Sequence, residues 1–383
     1  MAAALPPSPR VRPSWRLALL LAVVAGGAAA AQDIGIRQYK PKSTLVVDEH
    51  PTPRARYPVI DIHSHHRDLS PARLARVVAE MDALNLQVLV NLSGGTGEEL
   101  ARGLQAIADG PARGRMIAFA TLDFGDIDQP GYGARAAARL EADVRAGAQG
   151  LKIFKNFGLT LRRNGERVPV DDPELDPVWA ACARLGIPVL IHTGEPAPFF
   201  DPVDETNERW LELHIHPSRR RPAGQYPSFE ALMAERDRLF ARHPQTTFIA
   251  AHFAYHANDL RRLGTLLDRF PNVYTETGAI LAELGRQPRT AHAFFVKYQD
   301  RVLFGKDSWA ASEYPYFWRT FETADEYFDY YRDYHAFWKL YGLDLPDPVL
   351  RRLYYGNALR LLPRLDRSPF PPLDAPGTAR SAH

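Results

Sequence analysis

Val59-Ile-Asp-Ile-His-Ser-His65 is the stretch that sets the reading of the chain: a short aliphatic run closing on two histidines one residue apart. On an extended strand alternate side chains share a face, so His63 and His65 point the same way. If this is the first strand of a closed parallel barrel, that face is the interior. The histidines then stand at the C-terminal rim, where catalytic residues of that architecture collect.

Working outward, short β-branched or aliphatic runs alternate with amphipathic stretches of helical length, the pattern of successive βα units around a parallel sheet. Eight strands are expected: 59–63, 87–91, 115–121, 150–154, 187–192, 246–252, 272–276 and 301–304. The fold class is therefore α/β, a (β/α)8 TIM barrel. An open doubly wound sheet shares the alternation, but no Gly-x-Gly-x-x-Gly follows an early strand. Gly94-Gly-Thr-Gly97 lacks that spacing. Two long connections, 155–172 and 193–227, are expected to build a substrate pocket at the rim.

Three more strands end in residues that can hold a metal. Val189-Leu-Ile-His192, Phe248-Ile-Ala-Ala-His252 and Val302-Leu-Phe-Gly-Lys-Asp307 carry two further histidines and an aspartate to the same mouth. That convergence points to a metal site. Lys152 ends the fourth strand. A lysine among imidazoles and a cation must be deprotonated, turned away or chemically neutralised, and carboxylated by CO₂ it would bridge two metals. Glu276, ending the seventh strand, is read either as substrate-binding or as a helix-capping or ion-paired acid. Lys155 and Lys306 are candidates for holding a substrate carboxylate, as is Arg286.

Of 383 residues, 47 are Lys or Arg and 45 are Asp or Glu, a net charge of +2. Neither disorder nor capture of nucleic acid is suggested, since the arginines are scattered rather than gathered into a stripe. Arg10, Arg12 and Arg16 precede an apolar run at 17–24 and a small-residue stretch ending at Ala31, which reads as a secretory signal peptide over 1–31. An exported protein, periplasmic or secreted, is expected, without a transmembrane segment in the mature chain. Residues 32–57 read as an extended arm, 58–362 as the barrel and 363–383 as a Pro-rich, poorly ordered tail. Cys182, the sole cysteine, precludes an intramolecular disulfide and reads as a buried, inert thiol.

From the Ile60-Asp-Ile-His-Ser-His65 opening to Tyr355-Gly-Asn-Ala-Leu-Arg-Leu361, the chain resembles the amidohydrolase superfamily, in its amidohydrolase-related (type 2) branch. That branch includes metal-dependent lactonases and hydrolases, and decarboxylases such as aminocarboxymuconate-semialdehyde decarboxylase. The resemblance implies that His63, His65 and His192 ligate metal, that Asp307 ligates metal and moves protons, and that His252 binds or activates. Lys306 departs from the branch, standing where a small Thr or Ser is usual. The expected activity is hydrolysis of a lactone, ester or amide of a small molecule, itself possessing a carboxylate in one version, by metal-activated water. Non-oxidative decarboxylation of a small hydroxyaromatic or unsaturated acid is the alternative. One or two divalent ions per chain are expected, zinc fitting the donors best.

Overall fold

The computed structural model describes residues 1–2, 33–335 and 337–374. The expected signal peptide thus lies outside the described residues beyond its first two. The chain forms two compact units, 1–41 and 42–383. The first, where described, holds a turn in which the Gln38 and Tyr39 N–H groups donate to the Gly35 carbonyl. In the second, residues 42–57 carry no regular secondary structure and are tied down by side chains. The His50 backbone and ring both bond Asp325, Arg56 pairs with Asp347 at 2.8 Å, and Ala55 and Tyr57 enter the core.

The strands are β1 (Val59–Ser64), β2 (Leu86–Asn91), β3 (Met116–Ala118, resumed at Ala120–Thr121), β4 (Leu151–Ile153), β5 (Val189–Ile191), β6 (Phe248–Ala250), β7 (Val273–Glu276) and β8 (Val302–Leu303). Each pairs in parallel with its neighbour in sequence; β3 joins the two halves by pairing with β2 before Phe119 and β4 after it. The ring closes where Ile62 N–H donates to the Phe304 carbonyl at 3.0 Å and Asp307 N–H to the His63 carbonyl at 2.7 Å. The fold is a (β/α)8 barrel, as the alternation implies.

Helices α1 (Pro71–Leu84), α2 (Gly97–Asp109), α3 (Tyr132–Ala146), α4 (Asp176–Leu185), α5 (Phe229–Arg242), α6 (Leu260–Arg269) and α7 (Pro288–Lys297) follow the first seven strands in turn. Their ends have local causes. Proline opens α1, α4 and α7, where a missing N–H costs nothing, while Ser228 and Asp259 cap α5 and α6 by accepting from backbone N–H groups. α6 buries Leu260, Leu263, Leu266 and Leu267, a 3.6-residue stripe against the sheet. Cys182 is fully buried within α4 and its thiol is pushed up by that burial.

Three features differ from the sequence reading. The 155–172 connection folds into a small hairpin, Arg162–Arg163 with Glu166–Arg167, and only Lys155 of it reaches the main cavity. The tail, expected to be poorly ordered, packs on the barrel as far as it is described: Phe370 stacks on Tyr355, whose hydroxyl donates to the Pro371 carbonyl. Burying an aromatic ring supplies the driving force that Pro-rich composition conceals. Finally, β8 is followed by α8 (Tyr314–Glu322) and a hairpin pairing Phe328–Asp329 with Lys339–Leu340, a wall at the mouth that periodicity did not reveal. Among the described residues, no helix is long and apolar enough to cross a membrane.

Candidate metal centre

Four imidazoles stand in a row across the barrel mouth. Ring centroids are 5.3 Å apart for His65 and His63, 5.0 Å for His63 and His252, and 4.6 Å for His252 and His192. Asp307 closes the first end, its Oδ1 lying 3.5 Å from His63 Nε2 and 3.6 Å from His65 Nε2. Two donors sharing a tetrahedral ion at bonds of about 2.0–2.1 Å stand about 3.3 Å apart. The His63, His65 and Asp307 donors are therefore spaced as ligands of one ion would be, with small adjustment. At the other end His252 Nε2 lies 3.3 Å from His192 Nδ1, and His192 Nε2 lies 2.7 Å from the Tyr255 hydroxyl. The structure thus brings His63, His65 and Asp307 together and sets His192 beside His252, outside that tight group.

Each ring is oriented from behind. His63 Nδ1 bonds the Glu276 carboxylate at 2.9 Å, His65 Nδ1 bonds the Ser93 hydroxyl at 2.9 Å, and His252 Nδ1 bonds the Gly278 carbonyl at 2.8 Å. In His63 and His252 the proton sits on Nδ1, because a carboxylate and a carbonyl only accept. Each Nε2 therefore keeps its lone pair, that of His63 toward Asp307 and that of His252 toward His192 Nδ1, the arrangement that holds ligating imidazoles in one tautomer. Burial, with Lys152 next, lowers His63 well below the ordinary imidazole value and His65 to about 4. Both rings are neutral and ready to donate a lone pair. Burial alone would raise the Asp307 carboxyl, but the surrounding imidazoles and Lys152 outweigh it and lower it, so Asp307 is an anion. The donor set fits a divalent cation.

Glu276 is fully buried. Its Oε1 accepts from His63 Nδ1 and, at 2.7 Å, from the His252 backbone N–H, while Oε2 accepts from Gly278 N–H. With every oxygen occupied by the wall of the site it does not face substrate, contrary to the substrate-binding reading; it orients two histidines. Gly305 is required here, since a Cβ would overlap the Glu276 carboxylate. Lys306 also leaves the substrate-binding set: its ammonium is fully buried, donating to the Ser308 carbonyl and Glu313. Lys152 is 1% exposed, and its Nζ has no hydrogen-bond partner among the described residues. Burial lowers it to about 8.

Backbone strain marks the same place. His252, Phe253, Ala254 and Tyr255 all have φ between 52° and 57°, and Asp307 has φ 86°. Side chains other than glycine rarely adopt this region, at a cost of order 1–2 kcal/mol each. The left-handed turn after His252 folds Tyr255 back onto His192. Tyr255 has no local sequence signal; Glu276 is marked by its place at the end of the seventh strand, but its role as a clamp is not.

Asp307, His192, His252 and Tyr255 border a cavity of about 370 Å³. The 193–227 loop lines one side, as expected, and residues from the hairpin after β8 line another. Lys155 enters it already bonded to Glu195 at 2.7 Å, and Arg286 is held outside by Glu208.

Residues 112–364 match the family model described as amidohydrolase. The chain belongs to the amidohydrolase family. The matched segment of this amidohydrolase contains Lys152, His192, His252 and Asp307 but begins after His63 and His65, so the two opening histidines enter the site on geometry. Among solved structures, a Staphylococcus aureus protein named as an amidohydrolase aligns over 80% of this chain and 99% of its own at 16% identity and a TM-score of 0.50, a likeness of fold. An uncharacterized TIM-barrel protein from Bordetella bronchiseptica aligns over 80% and 98% at 18% identity and TM-score 0.47. A 2,6-dihydroxybenzoate decarboxylase aligns over 80% and 99% at 16% identity and TM-score 0.49. No curated protein matches the chain.

Proposed function

We propose that this amidohydrolase is an exported, metal-dependent hydrolase that cleaves a lactone, ester or amide bond of a small molecule. The observation that carries the reading is Asp307: an ionised carboxylate within 3.6 Å of two neutral imidazole nitrogens and partly open to the cavity. His63, His65 and Asp307 would hold the ion, with His192 and His252 placed to complete its coordination or hold a second ion. When bound, a divalent cation supplies Lewis acidity and makes a water molecule acidic enough to ionise near neutral pH.

The protein's own groups do the rest. Asp307 accepts the proton of the attacking water at its carboxylate and returns it to the leaving oxygen or nitrogen. His252 Nε2 and the Tyr255 hydroxyl border the cavity, and Tyr255 stays protonated because burial raises it well above the ordinary phenol value. Its hydroxyl donates to His192 Nε2 at 2.7 Å, so Tyr255 orients that ring. Glu276 acts on substrate only through His63 and His252. Export rests on the reading of residues 1–31 and is checked by N-terminal sequencing of the mature protein, expected to begin near Gln32.

The test is elemental analysis of natively purified protein, with a screen of lactones, esters, amides and hydroxybenzoates scored for acid release and CO₂ release. Chelator-sensitive acid release without CO₂ is expected. CO₂ release from hydroxybenzoates without hydrolysis would replace the reading with decarboxylation, and a protein without bound metal would remove both.

A further inference from the structure

Four cations line the cavity: Lys155, Arg209, Arg219 and Arg332. Three are committed to carboxylates. Lys155 pairs with Glu195, Arg209 with Glu212 and Glu283, and Arg219 with Glu212. Among the described residues, Arg332 has neither an ion pair nor a hydrogen-bond partner. The carboxylate that acts on it, after the phenols of Tyr330, Tyr331 and Tyr334, is Glu313, which Lys306 already holds. Its guanidinium stands 5.5 Å above the Tyr331 ring, half-buried, in the loop that the hairpin after β8 extends over the mouth.

A guanidinium is always charged and presents a planar fork of N–H donors that matches a carboxylate in two parallel bonds. A partly desolvated cation without a counter-ion carries an unmet electrostatic cost, which an incoming anion relieves. Every other cation on the wall already touches a protein carboxylate, Lys155 sharing Glu195 with Arg221 and Arg209 sharing Glu212 with Arg219, so an anion entering the cavity finds at Arg332 a guanidinium with no such partner among the described residues. We propose that Arg332 receives a carboxylate of the substrate, so that the molecule processed at Asp307 carries an anionic group besides the bond that is broken. The cavity volume lies near the lower end of the range of about 300–1,000 Å³ for ligand sites, which limits the substrate to a small acid. The proposal rests on the hydrolytic reading only in placing the reacting bond at Asp307.

The probe is benzenesulfonate, an anion that accepts from a guanidinium as a carboxylate does but is a poor metal ligand, with the neutral methyl phenyl sulfone as its control. Calorimetric titration of the full-length, metal-loaded protein should show the anion binding more tightly than the sulfone. Arg332→Gln should weaken the anion by about ten- to a hundred-fold and leave the sulfone unchanged. Arg332→Lys should fall between, showing that charge and fork both count. His63→Ala, which disturbs the metal cluster, should bind the anion as wild type does. Failure of wild type to bind the anion, equal binding by Arg332→Gln, or loss of binding in His63→Ala would each overturn the proposal. If anion binding follows Arg332 while no lactone, ester or amide is cleaved, the hydrolytic reading falls and Arg332 keeps its role.

Discussion

Replacing Glu276 by glutamine isolates the carboxylate behind His63. Three N–H groups point at it: His63 Nδ1, the His252 backbone and the Gly278 backbone. Glutamine offers one oxygen and an NH₂ that can only donate. If the oxygen remains toward His63 and His252, the Gly278 N–H faces another donor, and a buried unsatisfied donor costs about 1–3 kcal/mol. If the amide is turned over, His63 must move its proton to Nε2 to accept from it, and the lone pair facing Asp307 is lost. Either way His63 trades a charged partner for a neutral one. Loss of such supporting groups lowers metal affinity by about 10–100-fold, or about 1.4–2.7 kcal/mol. The assay is zinc competition against a chromogenic chelator at neutral pH, with thermal unfolding of metal-free protein alongside. Zinc affinity unchanged within about twofold would refute the reasoning, whether or not the melting temperature falls.

Asp307→Asn keeps an oxygen for the ion but cannot carry a proton, so much of the metal should remain while turnover falls by roughly a hundred- to ten-thousand-fold; zinc content and rate are measured together, and a near-normal rate would move proton transfer elsewhere. Lys152→Met removes a buried ammonium that has no hydrogen-bond partner among the described residues and should raise the melting temperature of metal-free protein, since burying a charge without hydrogen bonds is costly. If Lys152 is instead carboxylated and bridges two ions, the same variant should drop from two metals per chain to one or none; a one-metal parent whose content survives the substitution excludes the bridge. His256, lowered to about 2 by burial and then by Arg236 and Arg262, supplies the pH test. Its folded value lies below that of a free imidazole, about 6.5, so the unfolded chain takes up that proton first. The His256 contribution is full above about pH 6.5 and is lost as pH falls, by at most about 1.4 kcal/mol per pH unit. Asp61 and Glu322, both raised to about 7 by burial, act in the opposite sense, their contribution being lost as pH rises through that value. Denaturant unfolding of wild type and His256→Gln from pH 7 to 4.5 should show the difference narrowing in acid, and a constant difference would contradict this assignment.

The barrel and its rim were legible in the linear chain because both rest on local periodicity. A strand ending in His-x-His at 63 and 65 sends both rings inward by alternation alone, and the eight βα units place His192, His252 and Asp307 at the same mouth once the ring closes. What remained ambiguous was any residue whose role depends on a partner far away in sequence. Glu276 reads equally as helix cap, ion-paired acid or substrate contact until the fold sets it 2.9 Å from His63, 213 positions away. Lys306 is a candidate for holding a substrate carboxylate, and nothing in the sequence singles out Arg332. Tertiary packing buries the first against Glu313 and leaves the second on the cavity wall without an ion pair among the described residues. The left-handed turn from His252 to Tyr255, which no glycine announces, exists because surrounding packing outweighs its local strain. Sequence alone therefore determined that the strand-end histidines and Asp307 meet at one mouth, a consequence of strand period and parallel order. Tertiary structure decided which of them carry a free lone pair or an unmet charge, because those properties belong to pairs of groups that only the closed barrel brings together.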